Sequence, residues 1–243
     1  MSDKHAGFWR RFRITPEKGV IKTEVEDDFH CMGVVVYYED GTATQIVADL
    51  IRAPWSTCPG AESKLVATFT GKSLVDFSRV GDKKMNCTHL YDLALLAAAH
   101  AQDKEPTVYD ILVSDPENEM RNAEVRRNGE TLLTWIEQGF HIVEPVGAAG
   151  IRLDQLRAWI DTLEPDLQEP ARLLQWGNML ANGRIIPLED QSDATKMPAS
   201  CYTFQPERAV MATRIGEIKD FSQGDIRPLD GQEISINKTT KEF

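Results

Sequence analysis

Alternation of apolar and polar positions dominates the first 55 residues of the chain. Four stretches alternate with the period of β-structure, and Glu39-Asp40-Gly41 between the last two is a clear turn signal. The stretches are 8–14, 20–25, 29–38 and 42–51. Short connections between alternating stretches are typical of antiparallel neighbours, so we expect an antiparallel meander.

Two helical patterns follow the meander. Pro59 suits the first turn of a helix, apolar residues recur after it at helical spacing, and Gly71 is a natural stop. Asn86 or Thr88 can cap a second, alanine-rich helix that ends near Ala101. We therefore expect the meander to be followed by a helix over 59–70 and by a second helix that runs from a cap at Asn86 or Thr88 to about Ala101.

The second part of the chain predicts an added β-hairpin and a helical region. Asn128-Gly129 between two alternating stretches is the strongest hairpin signal in the sequence. Strands are expected at 108–113, 124–127, 131–137 and 140–143, and amphipathic helices at 153–163 and 170–180. The fold class is therefore α+β. We divide the chain into the meander with its two helices (1–103), the hairpin and helical region packed on it (104–231), and a disordered tail (232–243).

Composition narrows the classes of function. Asp and Glu number 38 against 27 Lys and Arg, giving a formal net charge of −11, and such a surface repels nucleic-acid phosphates. No run approaches the roughly 18 apolar residues of a membrane helix, and residues 1–12 contain no apolar signal stretch. The four cysteines lack the spacing of a disulfide framework. We therefore expect a cytoplasmic protein with reduced thiols and no nucleic-acid or membrane partner.

Two of the cysteines stand at predicted helix starts. Cys58 immediately precedes Pro59, and Cys87 lies in the first turn of the second helix. The free N–H groups and positive dipole end of a helix N-terminus favour a thiolate, which is both a nucleophile and a soft ligand for Zn or Fe. The alternative is that a cysteine is simply a small buried apolar residue, and we prefer it for Cys31 and Cys201.

Histidines supply the other candidate ligands. His89 follows Cys87 by two residues and can join it through a non-helical first turn. His30 and Cys31 are neighbours in a predicted strand, so only one of them can face the helices, and the pattern leaves both open. With His30 as the preferred choice, the candidate metal ligands are His30, Cys58, Cys87 and His89.

Candidate acid, base or supporting groups lie near these ligands. Asp49 and Arg52 are on the strand that leads to Cys58. Together with His89 they are candidate catalytic residues, and a solvated or ion-paired role is the alternative for the two strand residues.

Three segments follow one another in the first hundred residues: His-x-Met at 30–32, Pro54 with Cys58, and Cys87-Thr88-His89-Leu90. Their order resembles that of a bacterial family known only as a domain of unknown function. The segment Cys-Tyr-Thr-Phe-Gln-Pro-Glu at 201–207 is similar to that family's C-terminal region, and this likeness adds Tyr202 to the candidate catalytic residues. Asn86 stands where the family usually has glycine.

The order of elements is also similar to that of U-type iron–sulfur scaffold proteins, in which antiparallel strands precede helices that carry ligands at their starts. This resemblance implies a metal site formed by Cys58, Cys87 and either His30 or Cys31. The scaffold's usual Cys-Gly-x and His-Cys-Ser segments are absent from this chain. A mononuclear metal enzyme on a similar framework is therefore an alternative to a cluster scaffold.

The expected function is a metal-dependent enzyme of bacterial catabolism, of lyase or hydrolase type, with Zn or Fe holding one open coordination position. The aromatic residues of 107–188 suggest an apolar wall for a small organic substrate, and an aromatic compound would fit such a wall. The alternatives are a metal, iron–sulfur or sulfur carrier, a metal-free enzyme with a cysteine nucleophile and a histidine base, and a protein whose cysteines are merely buried. The sequence leaves open the substrate, the metal and whether the chain forms a homo-oligomer.

Overall fold

The protein, described by a computed structural model over residues 7–231, is built on one antiparallel sheet. The predicted tail at 232–243 lies outside the described residues. Eight strands lie in the order β4-β3-β2-β1-β5-β6-β7-β8. They are β1 (Gly7–Glu17), β2 (Val20–Glu26), β3 (Cys31–Glu39), β4 (Thr42–Arg52), β5 (Thr107–Ser114), β6 (Met120–Arg127), β7 (Glu130–Gln138) and β8 (His141–Glu144). Together with the helices, the sheet confirms the α+β class.

Two tight turns form as their sequences predict. Asp40 and Gly41 have φ angles of 47° and 73°, and Asn128 and Gly129 have 52° and 88°. Two successive positive φ values are the requirement of a type I′ turn, whose twist matches that of paired antiparallel strands. Both the β3–β4 and the β6–β7 hairpins of the sequence prediction are therefore confirmed.

The two halves of the chain share the sheet. β1 to β4 form one four-stranded meander and β5 to β8 form another, and they join where β1 pairs with β5, from Gly7 opposite Ser114 to Ile14 opposite Thr107. We call this β1–β5 pairing the seam. The seam places the first described strand in the middle of the sheet.

Helices cover one face of the sheet. They are α1 (Ala61–Phe69), α2 (Thr88–Ala99), α3 (Arg157–Ile160), α4 (Pro165–Leu180) and α5 (Pro206–Ala209). Side chains of α1, α2 and α4, among them Leu65, Leu90 and Leu174, share one hydrophobic core with inward residues of the sheet. None of the helices within 7–231 is long and apolar enough to cross a membrane.

Two helix predictions need correction. The expected helix at 153–163 is broken into a 3₁₀ turn (Leu153–Gln155) and the single turn of α3. The helix expected to begin at Pro170 begins at Pro165, which occupies the first turn, and Pro170 lies inside α4. Both prolines can start a helix, and the sequence alone does not show that the earlier one does so.

Candidate functional site

A cavity of about 320 Å³ lies between the turn that precedes β3, the connection from β4 to α1, the start of α2 and the segments after α4. Its lining is mostly aromatic and aliphatic, and includes Phe29, Met32, Trp55, Phe140, Met179 and Phe204. The volume is near the lower end of the range of about 300–1,000 Å³ that is typical of small-molecule sites.

The four predicted metal ligands all line this cavity: His30, Cys58, Cys87 and His89. The predicted catalytic residue Tyr202 lines it as well, and so does Cys201, for which the sequence favoured a purely structural role. Residues from four separate parts of the chain therefore meet at one place.

Local backbone structure holds the cysteines at the cavity. Cys58 opens the 3₁₀ turn that precedes α1, with its N–H donating to the Trp55 carbonyl at 3.1 Å. Its Sγ lies 3.4 Å from Thr203 Oγ1. Cys87 is the N-cap residue of α2, and its carbonyl accepts from the Tyr91 N–H at 2.9 Å. Both cysteines therefore stand at helix starts, as predicted.

The thiols are nevertheless held in their protonated form. Burial raises the pKa of Cys87 to about 12, and the neighbouring Cys58 and Cys201 raise it too. Burial also raises the pKa of the Cys58 thiol and of the Cys201 thiol. The expectation of thiolates at the helix starts is wrong for the protein without a bound cation, because the apolar surroundings outweigh the helix dipole. Because Cys58 and Cys201 affect the pKa of Cys87, the three thiols lie near one another.

Two imidazoles lie side by side at the same cavity. The ring centroids of His30 and His89 are 4.2 Å apart, with 42° between the ring planes. His89 Nδ1 is 4.0 Å from Cys87 Sγ. Burial, together with the nearby His30 and Arg10, holds the pKa of His89 well below its ordinary value, so this ring is neutral near pH 7.

The Asp27 carboxylate orients His30 through contacts with its ring and its backbone N–H. Its Oδ1 accepts from the backbone N–H groups of Phe29 and His30, each at 2.8 Å, and lies 3.0 Å from His30 Nδ1. A carboxylate only accepts, so Nδ1 is the ring nitrogen that donates to Asp27, and Nε2 is the ring nitrogen that does not contact this carboxylate. Burial opposes ionisation of Asp27, but His30 and the ion-paired Arg10 outweigh it and hold the pKa of this carboxyl far below its usual range.

Arg52 supports the same turn and stays outside the cavity. Its guanidinium donates to the backbone carbonyls of Asp27, Asp28 and His30 and to the Glu26 carboxylate. Arg52 therefore fixes the backbone behind His30 and is not among the residues that line the cavity. Asp49 lies opposite Gly33 in the β3–β4 pairing and is likewise not part of the lining.

The choice between His30 and Cys31 is resolved in favour of His30. His30 and Met32 line the cavity, whereas Cys31 lines a separate pocket beside Arg52. Burial raises the pKa of Cys31 to about 12, so this thiol is also protonated. Strand β3 begins only at Cys31, so His30 lies in the turn before it and not in the strand predicted from residue 29. Cys31 and Met32 then alternate between the two faces of β3.

The donor types suit a soft divalent metal, since thiols and imidazoles are the preferred ligands of Zn and Fe. Among residues 7–231, however, no three His, Cys, Asp or Glu side chains are arranged so that they could hold a metal ion. The predicted ligands therefore line one cavity without forming a ready metal site in this part of the chain. Comparisons of this chain with protein-family models and with curated proteins found no match.

Proposed function

We propose that this protein is an enzyme that acts on a small, mainly apolar organic molecule bound in the cavity, with thiols and imidazoles carrying the chemistry. One observation carries the proposal: three cysteines and two histidines from distant parts of the chain line a single, largely apolar cavity. Apolar walls with a few convergent polar groups are typical of small-molecule sites and of enzyme active sites.

For the chemistry we propose a Zn or Fe ion held by His30, Cys58, Cys87 and His89, with lyase or hydrolase activity. Asp27 supports this assignment, because histidines that bind metals commonly donate their second ring N–H to a carboxylate. A bound ion at this place would polarise a carbonyl or hydroxyl group of the substrate or activate water.

The protein's own residues have distinct roles in this proposal. Asp27 and Arg52 fix the orientation of His30 and its backbone. Tyr202 is anchored beside the start of α2 by its N–H, which donates to the Asn86 carbonyl at 2.8 Å, and its ring lies under the Arg208 guanidinium at 3.9 Å. We assign its hydroxyl to proton donation at the substrate, and the aromatic walls exclude bulk water.

Metal analysis of matched cysteine variants tests the chemistry. Cys58→Ser and Cys87→Ser each remove one proposed ligand, and Cys31→Ser removes a buried thiol that does not line the cavity. We expect stoichiometric Zn or Fe in the wild-type protein and in Cys31→Ser, and loss of metal in the other two variants with far-UV circular dichroism unchanged. Unchanged metal content in both cavity variants would refute this ligand set, and iron with sulfide would favour the carrier alternative.

A metal-free cysteine enzyme is the second candidate. The 4.0 Å between Cys87 Sγ and His89 Nδ1 favours it, because a base beside a thiol is the arrangement of a nucleophilic pair. Substrate or a tightening of the cavity would have to close this distance to hydrogen-bond reach. Iodoacetamide labelling of metal-free protein near neutral pH, located by mass spectrometry, tests it: preferential labelling of Cys87 that His89→Gln abolishes supports the pair, and equal slow labelling of all four cysteines opposes it.

A further inference from the structure

Arg214 is a half-buried cation at the cavity that has no acidic partner among the described residues. It lines the cavity together with the thiols and imidazoles. Its Nη1 donates to the Gln191 carbonyl at 3.1 Å, and its guanidinium carbon lies 5.7 Å from the Trp55 ring centroid. Within 7–231, no carboxylate forms an ion pair with Arg214, although the sequence contains 38 Asp and Glu residues.

Other arginines near the cavity are neutralised. Arg10 is paired with Asp27, Arg184 with Asp28, Asp115 and Asp220, and Arg208 with Glu207. Burial lowers the pKa of Arg214, and no acidic side chain within 7–231 opposes this effect. Partial removal of a charged group from water without an ionic partner costs free energy, so a ligand that brings the missing negative charge would be favoured.

The backbone holds Arg214 in place beside the thiols. Trp55 and Arg214 form an antiparallel bridge, the Ser56 N–H donates to the Thr213 carbonyl at 2.9 Å, and the Ile215 N–H donates to the Pro54 carbonyl at 3.0 Å. This short pairing joins Arg214 to the connection that ends at Cys58. The backbone at Arg214 is therefore fixed relative to the segment that carries Cys58, and the hydrogen bond to Gln191 holds the guanidinium.

We propose that Arg214 binds a carboxylate of the substrate, so that the substrate is a small, mainly apolar carboxylic acid. The inference rests on the proposed function, because it takes the cavity as the substrate site. A guanidinium offers paired N–H donors whose spacing matches the two oxygens of a carboxylate, and a single hydrogen bond to Gln191 leaves such a pair free. Trp55 and Phe204, in edge contact at 5.7 Å, would enclose the hydrocarbon part.

Matched acid and amide probes test the proposal by isothermal titration calorimetry of the full chain. The probes are 3-phenylpropanoate and 3-phenylpropanamide, which differ in charge and share their hydrocarbon part. We expect the wild-type protein to bind the acid tighter than the amide by about tenfold or more, as for charge-assisted hydrogen bonds. Arg214→Gln should bind both probes equally, and Arg214→Lys should retain part of the preference, because lysine keeps the charge without the paired donors.

The control is Arg157→Gln, which removes the same charge from an exposed residue that does not line this cavity. It should keep the wild-type preference, and equal melting temperatures would show that the variants are folded. Equal binding of both probes to the wild-type protein, or an unchanged preference in Arg214→Gln, would overturn the role of Arg214 and leave the cavity as a site for apolar molecules. Failure of both probes to bind at millimolar concentration would count against the carboxylic acid and the proposed function together.

Discussion

Replacing Asp27 by asparagine tests the buried ion pair between Arg10 and Asp27, the residue that orients His30. Asparagine keeps a side-chain oxygen that can accept from the Phe29 and His30 N–H groups, so the turn itself retains its hydrogen bonds. The negative charge is lost, however, and Arg10 is only 3% exposed with Asp27 as its carboxylate partner among the described residues. The change therefore leaves a buried arginine charge without compensation.

The expected loss in free energy of unfolding is large, although asparagine and aspartate have nearly equal volumes. Removing one partner of a buried ion pair typically costs about 3–5 kcal/mol, and both members here are almost fully inaccessible, so screening by solvent gives no reason to reduce this figure. Typical free energies of unfolding are only about 5–15 kcal/mol. We expect Asp27→Asn to lower the midpoint of urea unfolding strongly, with little change in the slope, when followed by circular dichroism and tryptophan fluorescence.

A double variant distinguishes the effect of the unpaired Arg10 charge from other effects of Asp27→Asn on stability. In Arg10→Met/Asp27→Asn both charges are absent, so the unpaired cation no longer exists and methionine retains apolar volume. We expect this protein to be more stable than Asp27→Asn alone, which is a non-additive result in a double-mutant cycle. A cost below about 1 kcal/mol for Asp27→Asn would match an exposed pair and refute the reasoning.

Three further predictions concern stability and thiol chemistry. Burial lowers the pKa of His100, but hydrogen bonds and charges of Glu169 and Asp103 outweigh it and raise the pKa above its ordinary value of about 6.5. The stabilisation that protonated His100 provides is fully present below about pH 6.5 and is lost as the pH rises through the raised pKa. In urea titrations, His100→Gln should therefore lose less stability than the wild-type protein when the pH is raised. Identical pH profiles for the two proteins would contradict this prediction. A Cβ on Gly216 would lie 2.8 Å from the Ala53 carbonyl oxygen, so Gly216→Ala should lower the free energy of unfolding by about 1–3 kcal/mol and weaken binding of the acid probe. Unchanged stability together with unchanged probe affinity would show that the segments around Ala53 and Gly216 can separate freely. Because burial raises the pKa of Cys31 to about 12, this thiol should react with iodoacetamide at pH 7 far more slowly in native than in urea-unfolded metal-free protein. Rapid native labelling of Cys31 would be inconsistent with its burial.

Local patterns were sufficient to predict most strands and the two tight turns. Asp40-Gly41 and Asn128-Gly129 carry their conformational preference in their own residue types, so neighbouring sequence determines the hairpins. The pairing of β1 with β5 has no such local signal, because the partners are about a hundred positions apart and nothing in either strand specifies its distant neighbour. The start of α4 was missed since Pro165 and Pro170 fit a helix start equally well.

The candidate site was predictable in part. Cys58, Cys87 and His89 stand out by residue type and by their position near helix starts, His30 stands out by residue type in a predicted strand, and all four line the cavity. Burial of the thiols was not visible in the sequence, so their protonated state was not expected.

Three further site residues depend on long-range packing. Asp27 contacts His30 directly but depends on an ion pair with Arg10 of the distant strand β1, and Cys201 lies at the cavity because the Tyr202 N–H donates to the Asn86 carbonyl. Arg214 becomes notable only once the structure shows that no carboxylate in the described part of the chain pairs with it. The acidic run Glu26-Asp27-Asp28 between two apolar strands was the one local signal that could have identified part of this arrangement.

The seam has a practical consequence for work with shortened versions of the protein. Strand β1 lies between β2 and β5, so a deletion that removes residues 7–17 would not trim the border of the sheet. It would expose the hydrogen-bonding groups of two interior strands at once, and such unpaired edges promote association between molecules. N-terminal deletions past Gly7 should therefore give aggregated material, which size-exclusion chromatography after expression would reveal.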